Sequence, residues 1–122
     1  DKLFHSELSK FLSESNDSYD IIAAADTLNY FGDLKDVFAA TASALRDGGV
    51  FVFTLEKLDS DLTSENFEIG NHGRYAHAIE YVGLELQKAG FEVSSITTET
   101  VRTEATQPVV GYVVVATKSV GQ

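Results

Sequence analysis

The 122-residue chain contains no cysteine and no methionine, and only one proline. Without cysteine, neither a disulfide nor a thiolate metal site can form, and a cytoplasmic setting is expected. With no methionine to supply an initiator, a piece of a longer protein is the simpler expectation. Basic residues are scarce too: nine Lys and Arg stand against nineteen Asp and Glu, giving a net charge of −10. Phosphate backbones are held by clustered Lys and Arg. Nucleic acid is therefore not an expected partner, and neither is an anionic membrane surface. Such acidity serves solubility before it selects any cationic partner. No apolar run approaches the ~20 residues that span a bilayer.

What the chain does have is centred on residues 19–56. Residues 19–25 form a near-continuous apolar run, interrupted by Asp20, as a strand buried on both faces should be. Asp33 is placed to cap a following helix, with Asp36 adding charge to its first turn. Leu34, Val37, Phe38 and Leu45 share one face of that helix, with Ala42 between them. Gly48 or Gly49 is the expected left-handed stop. Residues 50–55 are then β-branched and aromatic, hence a second strand. Two strands joined by a helix make a β-α-β unit, which implies parallel pairing. In such sheets ligands sit beyond the carboxyl ends of the strands. Asp26 lies at one such end and Glu56 at the other.

The flanks read less sharply. Leu3, Phe4 and His5 make a short strand candidate, with His5 structural. Leu8, Phe11 and Leu12 share a helical face that Ser6 can cap. Residues 57–66 are polar and acidic, a loop long enough to act as a lid, and Phe67, Glu68 and Ile69 form a short extended piece. Turn residues precede a helix expected over 76–89, with Ile79, Val82 and Leu86 on one face and Gly90 ending it. Residues 91–102 read as a strand bulged near Ser95. Pro108 can open a last strand over 109–117. The two final strands are joined too closely for a helical crossover, so they should pair antiparallel. At this length one domain is expected.

Three stretches carry a resemblance: A-A-D-T-L-N-Y-F-G-D-L over residues 24–34, H-G-R-Y-A-H over 72–77, and Q-P-V over 107–109. With the order of elements, they resemble the carboxyl half of class I S-adenosylmethionine-dependent methyltransferases. More narrowly, they resemble the methyltransferase domains that follow tetratricopeptide repeats in some bacterial proteins. The resemblance implies an α/β, partial Rossmann-like sheet, with parallel strands, an antiparallel last strand and helices on its faces. It implies S-adenosylmethionine as cofactor, with a small-molecule or protein methyl acceptor. Family members carry a glycine-rich turn after their first strand and an acidic residue after their second. No G-x-G precedes Tyr19 here, so both motifs would lie upstream and the cofactor site would be incomplete. A sheet cut there would leave the edge of the 19–25 strand bare, an invitation to homodimerise.

By the same resemblance, Glu7 stands where an acidic residue approaches the adenine amine. Asp26, followed by Thr27, borders the methionine end of the cofactor. Each also has a plain structural reading, as a solvated carboxylate and a strand-terminating cap. Tyr30 can wall the pocket or simply pack. His72, Arg74, Tyr75 and His77 put two imidazoles, a guanidinium and a phenol within six residues, between a glycine turn and a helix start. Such a group can bind an anionic or hydroxylated acceptor. Tyr30, His72 and Arg74 are the acceptor-binding candidates, Tyr75 and His77 the catalytic ones. The plain alternative is a packed loop with one satisfied histidine. The histidine pair lacks a third nearby ligand, so no metal site is expected. Arg102 is a surface residue that could reach the same rim. Methyl transfer by the full-length protein, with this piece inactive alone, is the leading expectation. The rival is a non-enzymatic interaction domain working through an exposed sheet edge.

Overall fold

The computed structural model describes residues 19–25, 27–58, 65–69 and 73–119. The expected strand at Leu3 and helix at Leu8 lie outside them, as do Glu7, Asp26 and His72. The described elements are β1 (Tyr19–Ala24), a 3-10 turn (Leu28–Tyr30), α1 (Lys35–Ala44), β2 (Leu45–Lys57), β3 (Phe67–Ile69), β4 (Tyr75–His77), α2 (Ile79–Ala89), β5 (Phe91–Glu104) and β6 (Gln107–Lys118).

The six strands form one sheet, in the order β3-β4-β2-β6-β5, with β1 also paired to β2. β1 and β2 are parallel, with Ile22 opposite Phe51 and Ala24 opposite Phe53. β4 is parallel to β2 as well, whereas β6 runs antiparallel to it. β5 and β6 form an antiparallel hairpin whose register shifts between Val93 and Ser95, where the bulge was expected, and again between Thr100 and Arg102.

Alternation along β2 decides the core. Phe51, Phe53 and Leu55 are buried, while Val50, Val52, Thr54 and Glu56 on the other face are partly covered. Phe38 of α1 packs on the buried face, its ring centroid 6.1 Å from Phe51 and 5.5 Å from Phe53. Phe91 joins Phe51 at 5.8 Å. Val82 and Leu86 of α2 fall in the same cluster. The two described helices thus share one face of the sheet. Apolar burial of this kind stabilises by about 25 cal/mol per Å² and fixes the two helices as a unit.

The ends of the elements depart from expectation. Asp33 does not occupy the N-cap of α1. Leu34 does, with no side-chain cap of its own. Asp33 instead accepts from the Lys35 N–H at 2.9 Å, and the Tyr81 hydroxyl accepts from the Leu34 N–H at 2.9 Å. Helix-start N–H groups need acceptors, and here a distant phenol supplies one. Nor does a glycine stop α1: Leu45 is its C-cap, in extended conformation. Gly48, at φ +80°, instead serves a bulge in β2, where the register passes from Tyr19–Leu45 to Ile21–Val50. Gly90 does end α2 as expected, at φ +96°. That helix starts at Ile79 rather than 76, because Tyr75, Ala76 and His77 are taken up as β4 between β3 and β2.

Candidate functional site

β1 stops at Ala24, opposite Phe53, while β2 continues to Lys57. β4 takes up the row that β1 leaves, with Ala76 opposite Glu56 and His77 opposite Lys57. The turn that follows β1 packs against both β2 and β4. Segments distant in sequence therefore meet at the carboxyl end of the parallel pair, where α/β sheets place their ligands.

Arg74 joins them at the rim. Its Nη2 donates to the Tyr30 hydroxyl at 3.2 Å, and its guanidinium carbon lies 5.4 Å from the Tyr30 ring centroid. Its Nε lies 3.8 Å from Glu56 Oε2, an ionic contact too long for a good hydrogen bond. The side chains of Arg74 and Glu56 are only 20% and 12% exposed, so solvent screens the pair less than it would a surface pair. A guanidinium over a phenol ring adds a cation–π attraction. Thr27 opens the turn that carries Tyr30: its carbonyl accepts from the Tyr30 N–H at 3.3 Å, and its hydroxyl donates to the Ala25 carbonyl at 2.9 Å.

His77 and Tyr75 stand behind the rim. His77 is fully buried, and its Nε2 lies 3.0 Å from the Gly32 carbonyl. A carbonyl only accepts, so Nε2 carries the proton. Nδ1 is buried without a hydrogen-bonding partner among the described residues. Burial holds the imidazole below its usual pKa of 6.5, offset in part by the Gly32 and Phe31 carbonyls and the Glu56 carboxylate. His77 is thus a neutral donor. Tyr75 packs its ring 5.8 Å from Phe67. A Cβ added to Gly32 would come within 2.7 Å of Phe67 and 2.9 Å of Tyr75, so the loop approaches the two rings as closely as only glycine allows.

Tyr81 completes the support. Besides accepting from Leu34, its hydroxyl donates to Asp33 Oδ1 at 3.3 Å. Burial pushes its pKa up to about 12, so it stays protonated. Tyr81 and His77 clamp the 27–34 loop from beneath, while Arg74 holds it at the rim.

The structure therefore joins Tyr30 and Arg74 on one rim, with Thr27 at the start of the turn that carries Tyr30 and with Tyr75 and His77 packed behind them. His77 sits in a strand and not at a helix start. Two contributors escape a reading by spacing. Glu56 lies at a strand's carboxyl end, where a ligand is expected, but its nearness to Arg74 depends on β4 pairing there. Tyr81 lies on the apolar face of α2, where a tyrosine passes for a core residue.

No protein-family model and no curated protein matches the chain in sequence. Solved structures do match. An S-adenosylmethionine-dependent methyltransferase from Methanosarcina mazei superposes with a TM-score of 0.69 at 14% identity, over 87% of this chain and 62% of that one. The 1,6-didemethyltoxoflavin-N1-methyltransferase of Burkholderia thailandensis, solved with bound 1,6-didemethyltoxoflavin and S-adenosylhomocysteine, gives a TM-score of 0.69 at 16% identity, over 88% of this chain and 48% of that one. The fold is that of S-adenosylmethionine-dependent methyltransferases. The chain spans less than two thirds of the length of these neighbours. The methyltransferase fold also hosts other chemistry: the cyclase SpnF superposes with a TM-score of 0.65 at 14% identity, over 87% of this chain and 53% of that one. Fold therefore does not settle reaction, and the site has to.

Proposed function

We propose that this chain is the carboxyl-side part of an enzyme that transfers a methyl group from S-adenosylmethionine to a small-molecule or protein acceptor. The observation that carries this reading is the rim of Tyr30, Glu56 and Arg74, gathered at the carboxyl end of the parallel pair, with Thr27 opening the turn that carries Tyr30. The finer kinship, to the domains that follow tetratricopeptide repeats in bacterial proteins, rests on the H-G-R-Y-A-H run over residues 72–77, of which residues 73–77 are described.

The residues present fit one end of the cofactor. The Thr27 hydroxyl spends its proton on the Ala25 carbonyl, which leaves its oxygen lone pairs able to accept from an ammonium group. With Tyr30 it would hold the methionine end. No described residue takes the part of the glycine-rich turn, so the chain alone should bind cofactor poorly. When bound, S-adenosylmethionine supplies an electrophilic methyl group. Such transfer chiefly needs donor and acceptor held in line. Arg74 would bind an anionic or hydroxylated acceptor, and Glu56 is the rim carboxylate able to take its proton. His77 would act through Gly32, by fixing the loop.

Titration calorimetry with S-adenosylhomocysteine tests this on the present chain and on one extended upstream through a glycine-rich strand–turn–helix. The extended chain should bind and the present one should not. Micromolar binding by the present chain would overturn the need for the turn. No binding by the extended chain would overturn the methyltransferase reading and favour an interaction domain.

A further inference from the structure

The outer edge of β5 is the longest strand edge without a strand partner among the described residues. The strand runs from Phe91 to Glu104 and pairs only with β6. Such an edge templates further pairing unless it is blocked, and Ser94, Ser95, Thr97 and Thr98 do not block it. Beside it, on the α2 side, lies a groove of about 660 Å³ whose apolar lining is Ile79, Leu84, Phe91 and Val93 and whose polar lining includes Glu80 and Glu92. Leu84 is 57% exposed, Val93 37% and Ile96 43%. Exposed apolar residues that cluster at an open edge mark an interaction surface better than the same residues scattered.

The register of β5 names the occupant. If two β5 strands pair antiparallel about a two-fold axis at Thr97, Thr97 faces its own copy. Ser95 then stands opposite Glu99 and Ile96 opposite Thr98. The same register sets Glu92 opposite Arg102, twice, once on each side of the axis. Glu92 pairs in register with Thr117 and Arg102 with Val109. Positions 109 and 117 lie on one face of β6, so positions 92 and 102 share a register face as well. Centring one residue later would set Glu92 against Glu104, a like-charge pair that costs stability. The bulges fit too. The shift between Val93 and Ser95 in one copy meets the shift between Thr100 and Arg102 in the other, so register lost at one is regained at the other. A two-fold axis normal to the sheet keeps both α2 helices on one side, with both grooves beside the seam.

We infer that this edge is a self-association surface whose partner is a second copy of the chain, joined β5 to β5 into a continuous sheet. The inference does not depend on methyl transfer. Light scattering after size exclusion tests it. The chain should elute at twice its own mass, and Thr97→Lys, which sets two ammonium groups face to face on the axis, should convert it to monomer. Thr97 is exposed, so the variant should keep its circular dichroism. Arg102→Glu should weaken the dimer at least tenfold in Kd, and Glu92→Arg added to it should restore the dimer. A monomer at every concentration, or a dimer indifferent to Thr97→Lys, would overturn the proposal. So would failure of the charge exchange to restore association.

Discussion

On one side of β2, β6 pairs residue for residue from Val50 to Glu56, and β5 follows through a short turn. On the other side, β1 covers the first part of β2 and β4 only Glu56 and Lys57. The hairpin side is built from backbone ladder and close packing. The rim side is built from side chains that reach across long sequence separations: Arg74 to Tyr30, His77 to Gly32, Tyr81 to Leu34. A ladder averages over many equivalent bonds, whereas three clamps each hold a distinct point of one loop. The hairpin is therefore expected to set global stability, and the clamps to set the shape of the rim.

The sharpest way to break the hairpin side is Gly111→Ala. A Cβ there would run into the Leu55 backbone carbonyl and come within 2.8 Å of Val101. A backbone atom cannot swing away as a side chain can. The loss should be about 3 kcal/mol, the upper end for overpacking, read by urea unfolding. An unchanged midpoint would show that the β2 and β6 backbones part around Gly111 at no cost.

The rim side should break instead through acid. Burial lowers the His77 pKa from 6.5, so between the folded value and 6.5 the unfolded chain binds the extra proton. Stability from this group is fully present above pH 6.5 and is lost as pH falls toward the folded value. The unfolding midpoint should therefore drop in this window, before most carboxylates titrate. His77→Gln keeps a side-chain donor toward Gly32 without the titration, so it should flatten that drop. Parallel pH curves for the two proteins would show that His77 is not the group responsible.

The same contrast explains what could be read from residues alone. Local chemistry announced the parallel β1–β2 pair, the Gly90 stop and the bulged β5–β6 hairpin: apolar runs, a glycine after an amphipathic stretch, a broken alternation. The rim was half legible. Tyr30, Arg74 and His77 stand out by type, but the partners that define them come from elsewhere in the chain. Asp33 looks like a cap because it precedes a helical stripe. The cap moves to Leu34 because Tyr81 supplies an acceptor 47 residues away, which no local pattern encodes. β4 was hidden in a presumed helix start because three residues carry no period of their own, and its strand character comes from the edges it pairs with.

The smallest effect should come from the tip of the hairpin, and it should have the opposite sign. Ala105 and Thr106 turn the chain between β5 and β6 with φ values of 49° and 68°, the left-handed pair that a two-residue hairpin of the mirror-image type requires. Neither residue favours that region, and a β-branched threonine favours it least. Thr106 is exposed, so its side chain gives up little packing. Thr106→Gly removes the strain at the cost of a more flexible unfolded chain, and the net should be a gain of about 1 kcal/mol. Because the hairpin side stands apart from the rim, the gain should appear in the urea midpoint and leave the acid-induced drop of His77 untouched. A Thr106→Gly variant that changed the acid profile would mean that the two sides of β2 are coupled through the sheet, and that the rim is not held by its clamps alone.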